Sequence, residues 1–103
     1  MPIYRKKPVE VEVNRYLNDE STYQLLNWIN EGQYKNGKRF AIWENGILTV
    51  PTLEGEHIAS VGDWIIKGVA GEFYPCKPDI FATTYDLVTE PPAQQAHSQP
   101  LQQ

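Results

Sequence analysis

Val9, Val11 and Val13 alternate with Glu10, Glu12 and Asn14, so residues 9–14 read as a strand with one apolar and one wet face. Pro8 stands at its start, where a missing N–H is tolerated. The period then changes. Leu25, Leu26, Trp28 and Ile29 form a stripe at helical spacing, which predicts a helix over residues 22–31. Ahead of it, Ser21-Thr22-Tyr23-Gln24 fits a capping box, in which the serine oxygen takes a backbone N–H and the glutamine reaches back. Gly32 marks the expected stop.

Beyond the helix the pattern is β. Phe40–Glu44, Asn45-Gly46 and Ile47–Val50 make a hairpin signal, because Asn-Gly accepts the positive φ angles of a type I′ turn. Pairing through that turn sets Trp43 opposite Leu48 and Ala41 opposite Val50 on the expected core face, with Ile42 opposite Thr49 on the other. Further strands are expected at Glu56–Ala59, Trp64–Lys67 and Phe73–Cys76, punctuated by Gly55, Gly62, Gly68 and Gly71. Residues 77–85 open a short helix with Pro78 in its first position, and Asp86–Val88 reads as a closing edge strand. The strands between residues 40 and 76 follow one another too closely for helical crossovers, so the pairing is antiparallel. The expected fold is α+β: a small twisted antiparallel sheet or partly closed barrel with one main helix packed on it.

Composition sets the frame around these elements. The 103 residues suit one domain, and three tryptophans and six tyrosines supply much of its buriable area. Residues 1–90 are assigned to that domain. Residues 91–103, PAQQAHSQPLQQ after Pro91, hold one leucine and no aromatic, and read as a disordered Gln/Pro-rich tail in which His97 is a bystander. One cysteine makes no internal disulfide framework and no zinc cluster. Neither a membrane-spanning apolar run nor a signal-peptide stretch is present, so a cytoplasmic location is expected.

Charge narrows the partners. Residues 1–39 carry seven basic and five acidic side chains, residues 40–103 two basic and eight acidic. An acidic C-terminal half argues against broad binding to a nucleic-acid backbone, which needs several phosphates neutralised. It suits a local basic pocket, or a negative face offered to a basic protein surface.

No catalytic set emerges. Cys76 has Lys77 beside it, which could lower a thiol pKa, but its one base candidate in the folded region is His57, and an inert cysteine is the simpler reading. His57 among Glu54, Glu56 and Asp63 is the nearest approach to a metal cluster, yet on a strand Glu56 and His57 point to opposite faces. Asp63 after Gly62 reads as a turn residue and Asp79 as a first-turn helix acid. Gly68-Val-Ala-Gly71 reads as a hairpin connection whose N–H groups could hold an anion. No catalytic residue, metal or cofactor is therefore assigned.

Aromatic residues interleaved with cations are the more suggestive grouping. They occur at Tyr4-Arg5-Lys6-Lys7, at Tyr34-Lys35 with Lys38-Arg39, and at Trp64, Lys67, Tyr74 and Lys77. A nucleotide-like ligand uses such a set, stacking its base and pairing its phosphate. Arg5, Lys6, Trp64, Lys67, Tyr74 and Lys77 are accordingly the candidate ligand-binding residues. A domain this small leaves little room for a cleft, so a shared pocket in a homo-oligomer is expected.

The run Gly62-Asp-Trp-Ile-Ile-Lys-Gly-Val-Ala-Gly-Glu-Phe-Tyr-Pro-Cys-Lys-Pro-Asp-Ile-Phe81 with Thr84-Tyr85, and the opening Tyr4-Arg-Lys-Lys-Pro-Val9, resemble a family of small phage and prophage proteins without an assigned function. Val61 and Ala82 depart from that pattern, where proline and an acidic residue are common. The resemblance implies a phage-encoded accessory protein in the bacterial cytoplasm and implies no reaction. Together with the missing catalytic set, it leads to the expectation of a non-enzymatic, anti-defence protein that sequesters a small nucleotide-derived signal. The alternatives are an acidic protein-binding inhibitor of a host defence protein, and a small hydrolase built on His57 and nearby carboxylates.

Overall fold

A computed structural model describes residues 1–88 of the chain. Its elements run β1 (Glu12–Arg15), α1 (Thr22–Lys35), β2 (Ile42–Glu44), β3 (Ile47–Thr52), β4 (Gly55–Ala59), β5 (Trp64–Lys67), β6 (Phe73–Cys76) and α2 (Pro78–Thr84). The fold is an α+β mix of two three-stranded antiparallel sheets, ordered β1-β5-β6 and β2-β3-β4. No barrel closes among the described residues. The assigned tail, 91–103, lies outside them.

The Asn45-Gly46 turn forms as its chemistry requires, with φ of 52° and 76° at the two positions. The expected register follows: Trp43 opposes Leu48 and Ile42 opposes Thr49. Since Leu48 is fully buried while Ile42 is half exposed, the Trp43–Leu48 face is the core face. The core joins that face to α1 and to the inner face of β1-β5-β6 through Tyr16, Leu25, Ile29, Ala41, Leu48, Val50, Ala59, Ile65 and Phe73.

Four local expectations change. The first strand pairs only over Glu12–Arg15, because β5 ends at Lys67, opposite Glu12, and offers Val9 and Val11 no rung. Ser21 does not cap α1 through its hydroxyl. Instead the Asp19 carboxylate accepts from the Ser21 N–H at 2.9 Å and its hydroxyl at 2.5 Å, while Thr22 Oγ1 accepts from the Asp19 N–H at 3.2 Å. Those hydrogen bonds hold the Asp19 carboxyl below its ordinary range. Gly32 does not end the helix, which continues to Lys35. A Cβ at Gly32 would stand 2.9 Å from two ring carbons of Phe73, so this glycine serves a close approach rather than a stop. Finally, Asp86–Val88 forms no strand; Leu87 and Val88 stay exposed, with no sheet edge beside them to supply a ladder.

Amide side chains complete the packing of α1. Asn30 donates to the Ala41 carbonyl at 3.1 Å and accepts from the Ala41 N–H at 2.8 Å, standing in for a neighbouring strand. Gln33, almost fully buried, donates to the Arg39 carbonyl at 2.6 Å. These bonds satisfy backbone groups of residues 39–41 that no ladder reaches.

Candidate functional site

The register sorts the six candidate ligand residues before any distance is considered. Directly opposed residues share a face of a sheet. Arg15, Trp64 and Cys76 oppose one another, as do Val13, Ile66 and Tyr74, and alternation puts both rows on the outer face of β1-β5-β6. Lys67 opposes Phe73, a core residue, and so lies on the inner face. Trp64 and Tyr74 are thus separated from Lys67 by the sheet itself. Arg5 and Lys6 are exposed on the segment ahead of β1. Lys77, just past β6, turns to Asp63 and Ser60.

The two aromatics that do share a face are occupied by α2. Trp64 stacks on Phe81 with centroids 4.4 Å apart, and Phe81 stacks on Tyr85 at 5.1 Å. The Arg15 guanidinium lies 5.1 Å from the centroid of Trp64, and the Tyr74 and Tyr85 hydroxyls meet at 3.5 Å. Burial beside this neighbour pushes the Tyr74 hydroxyl well above its ordinary range. The ladder attaches a seven-residue helix that buries no residue completely on its own. Through Phe81 it covers Trp64 on the outer face, the face on which Ile66 is fully buried.

Asp63 belongs to the same end of the molecule. Only 2% exposed, its carboxylate accepts from the Ser60 N–H at 2.9 Å and from Lys77 Nζ at 3.2 Å. Its backbone carbonyl accepts from the Tyr16 N–H at 2.9 Å, and the Tyr16 carbonyl accepts from Gly62 at 2.7 Å. Asp63 is therefore a turn residue, as expected, and also the anchor that joins the β4–β5 turn to the start of α2. Cys76 lies beside it. Burial, then the charges of Asp63 and Asp79, raise its thiol pKa, the reverse of activation by Lys77.

The glycine turn between β5 and β6 holds an anion of its own. Glu72 Oε1 accepts from the Ala70 N–H at 3.0 Å, and its carboxylate occupies the space that a Cβ at Gly68 would need. Glu72 also lines two open clefts between the β3–β4 turn and β6. One, of about 300 Å³, is bordered by Lys38, Arg39 and Glu56; the other, of about 350 Å³, by Glu54, His57 and Tyr74. Arg39 is paired with Glu56, which leaves the clefts without a converging set of cations. Tyr74 is the single one of the six candidates that lines either cleft. His57 and Glu56 do point to opposite faces of β4, and among the described residues no three His, Cys, Asp or Glu side chains group as metal ligands.

A surface that the periodicity had placed away from the core is the most exposed apolar feature of the sheets. On the outer face of β2-β3-β4, Ile42, Thr49 and Ile58 form one row, Glu44 and Ile47 the next, and Pro51 and Glu56 the third. Ile42, Ile47 and Ile58 are 51%, 49% and 66% exposed, and Phe40, two residues before Ile42, is 52% exposed. Strand propensity favours β-branched residues here, but threonine meets that need on a wet face without exposing hydrocarbon. The patch is roughly 400 Å² of apolar surface, the usual size of the largest patch on a single chain, which is often a contact site. Glu44 and Glu56 border it, Glu56 being ion-paired with Arg39. The hairpin signal in residues 40–50 contained this surface, since it assigned Ile42 to the face opposite the core.

Comparison with protein-family models, curated proteins and solved structures finds no match to this chain. No helix among the described residues is long and apolar enough to cross a membrane.

Proposed function

We propose that this chain is a non-catalytic binding module whose working surface is the outer face of β2-β3-β4, and that its partner is a protein with an apolar patch fringed by basic side chains. The observation that carries the reading is the exposed Phe40–Ile42–Ile47–Ile58 surface, bordered by Glu44 and by the Glu56–Arg39 pair. Interfaces take this form, an apolar centre within a polar margin. The excess of acidic over basic side chains in residues 40–103 favours encounter with a basic partner. Chemistry-bearing groups elsewhere are engaged in holding the fold: Asp63 with Lys77, Glu72 in its turn, Asp19 at the start of α1. The resemblance of residues 62–85 to small phage proteins makes a bacterial host protein the partner class, and obstruction of that protein the biological effect.

The test is quantitative capture from a bacterial lysate by the wild-type chain and by an Ile42→Lys/Ile58→Lys variant. Both substituted side chains are solvent-facing, so circular dichroism should be unchanged. One protein retained by wild type, lost by the variant and weakened between about 0.05 and 0.5 M salt is the expected result. The purified pair should then show direct binding by calorimetry. Equal capture by wild type and variant would remove the proposal.

A further inference from the structure

The strand pattern of residues 9–14 outruns its ladder, and the backbone shows on which side rungs are free. Tyr16 donates its N–H to the Asp63 carbonyl at 2.9 Å, and its carbonyl accepts from the Gly62 N–H at 2.7 Å. Alternate residues of a strand aim their backbone groups to the same side. Asn14 and Glu12 therefore face β5, while Arg15 and Val13 aim N–H and C=O at the open edge, where no described residue bonds to them. The Val9-Val11-Val13 alternation carries the same edge forward past the end of β5. Two other edges are closed. Glu72 bonds to the Gly68 N–H across the β5–β6 ladder, so Phe73 and Pro75 aim outward, and Pro75 has no N–H to offer. Just ahead of β2, Asn30 takes both backbone groups of Ala41. β1 has neither device.

We infer that the β1 edge, extended through residues 3–13, pairs antiparallel with the same edge of a second copy about a two-fold axis at Pro8, joining two three-stranded sheets into one. Charge and proline choose the axis. Only residues whose backbone groups aim the same way can oppose one another, so the axis passes through a residue. Centred on Val11, it sets Glu10 against Glu12; centred on Glu10 or Glu12, it sets a glutamate against itself, and like charges directly opposed destabilise. Centred on Val13, it opposes no unlike charges. Centred on Val9, it sets Lys6 against Glu12, whose carboxylate already accepts from Trp28 Nε1 at 3.2 Å. Centred on Pro8, it sets Lys6 against Glu10 twice. Both are exposed. Pro8 then meets its copy in a non-hydrogen-bonded pair, where a missing N–H costs nothing. Ile3, 97% exposed, comes opposite Val13 and gains apolar cover. The pairing leaves the outer face of β2-β3-β4 free, so it stands apart from the proposed function.

Sedimentation of full-length chains tests this. Wild type should be a dimer at about 300 μM and dissociate towards about 1 μM. Val11→Pro lies ahead of β1 and removes a donor on the open edge, so circular dichroism should be unchanged while the dissociation constant rises at least about tenfold. Lys6→Glu and Glu10→Lys should each raise it at least about threefold, because each puts like charges on two rungs. A one-to-one mixture of those two variants restores both pairs with signs reversed, and should recover the dimer. Cross-linking locates the axis. In a Cys76→Ser background, Pro8→Cys should form an interchain disulfide on mild oxidation, its copy standing opposite at about 4.5 Å between Cα atoms. Glu10→Cys, also exposed, should react at least about tenfold more slowly, with its own copy roughly 14 Å away. A monomeric wild type, a dimer unmoved by Val11→Pro, a mixture that stays monomeric, or equal cross-linking at the two positions would each overturn the inference. A dimer lost with Ile42→Lys/Ile58→Lys and untouched by Val11→Pro would place the contact on the other sheet and overturn it as well.

Discussion

Replacing Asp63 by alanine removes the buried end of an ion pair whose other end is wet, and this asymmetry sets the magnitude. The carboxylate is 2% exposed and accepts from the Ser60 N–H at 2.9 Å and from Lys77 Nζ at 3.2 and 3.4 Å. The Lys77 side chain is 55% exposed. A hydrogen bond to a charged acceptor contributes about 1.5–3 kcal/mol, and truncating the acceptor leaves the Ser60 N–H without its partner. The pair with a half-exposed lysine adds no more than about 1 kcal/mol after solvent screening. Asp63→Ala should therefore cost about 2–3 kcal/mol, or roughly 10–20 °C in Tm for a domain of this size.

Lys77→Ala should cost less than about 1 kcal/mol, because its half-exposed ammonium makes a solvent-screened pair and Asp63 keeps its backbone donor. Asp63→Asn retains an acceptor of the same shape and should fall between the two. Urea unfolding of the four chains in the double-mutant cycle measures the coupling directly, expected below about 1 kcal/mol. If Lys77→Ala destabilised as much as Asp63→Ala, the backbone bond would not be the principal contribution, and the argument from asymmetric burial would fail.

Further outcomes follow from other elements. Gly32→Ala gains about 1 kcal/mol of helix propensity, but its Cβ meets Phe73 at 2.9 Å; overpacking of about 1–3 kcal/mol outweighs the gain, and a raised urea midpoint would contradict this. Gly46→Ala places a side chain at φ 76° and should lose about 1–2 kcal/mol, seen as a lowered Tm with the register unchanged by amide exchange. Cys76 should alkylate more slowly than a free thiol at neutral pH, because burial and the acids Asp63 and Asp79 raise its pKa; Asp79→Asn should speed the reaction, and an unchanged rate would refute that cause. Tyr16 and Tyr74 have hydroxyls raised above their ordinary value of 10.0, chiefly by burial, so the folded state prefers them protonated. Their stability is then complete below pH 10 and declines as pH rises beyond it, whereas a flat unfolding midpoint between pH 9 and about 12 would exclude that linkage.

Local chemistry reached far into this fold. Asn45-Gly46 determined its own turn, and with it which face of β2-β3-β4 is buried, because side chains alternate strictly along a strand. Trp64–Lys67, Phe73–Cys76 and the Pro78 start of α2 were legible for the same reason: their signals lie within a few residues. Gln33 was not legible. A helix that stops at Gly32 leaves it outside, so neither its buried place in α1 nor the Arg39 carbonyl it meets follows from the pattern.

Long-range partners decided the rest. Whether Gly32 stops a helix or admits a ring depends on Phe73, and whether Lys77 meets a ligand depends on Asp63. Trp64 and Lys67 are three residues apart, and that odd spacing already places them on opposite faces of a strand; what covers each face is a matter of packing. By itself the sequence determined the strands from Ile42 to Cys76, the antiparallel pairing of the Asn-Gly hairpin and the Ile42 face turned from the core, since these depend on backbone dihedrals and periodicity within a short window. Tertiary structure alone decided that the strands divide into two sheets and that α2 occupies Trp64 and Tyr74. It also decided that the Ile42–Ile58 face stays uncovered, because burial depends on neighbours that distant parts of the chain supply.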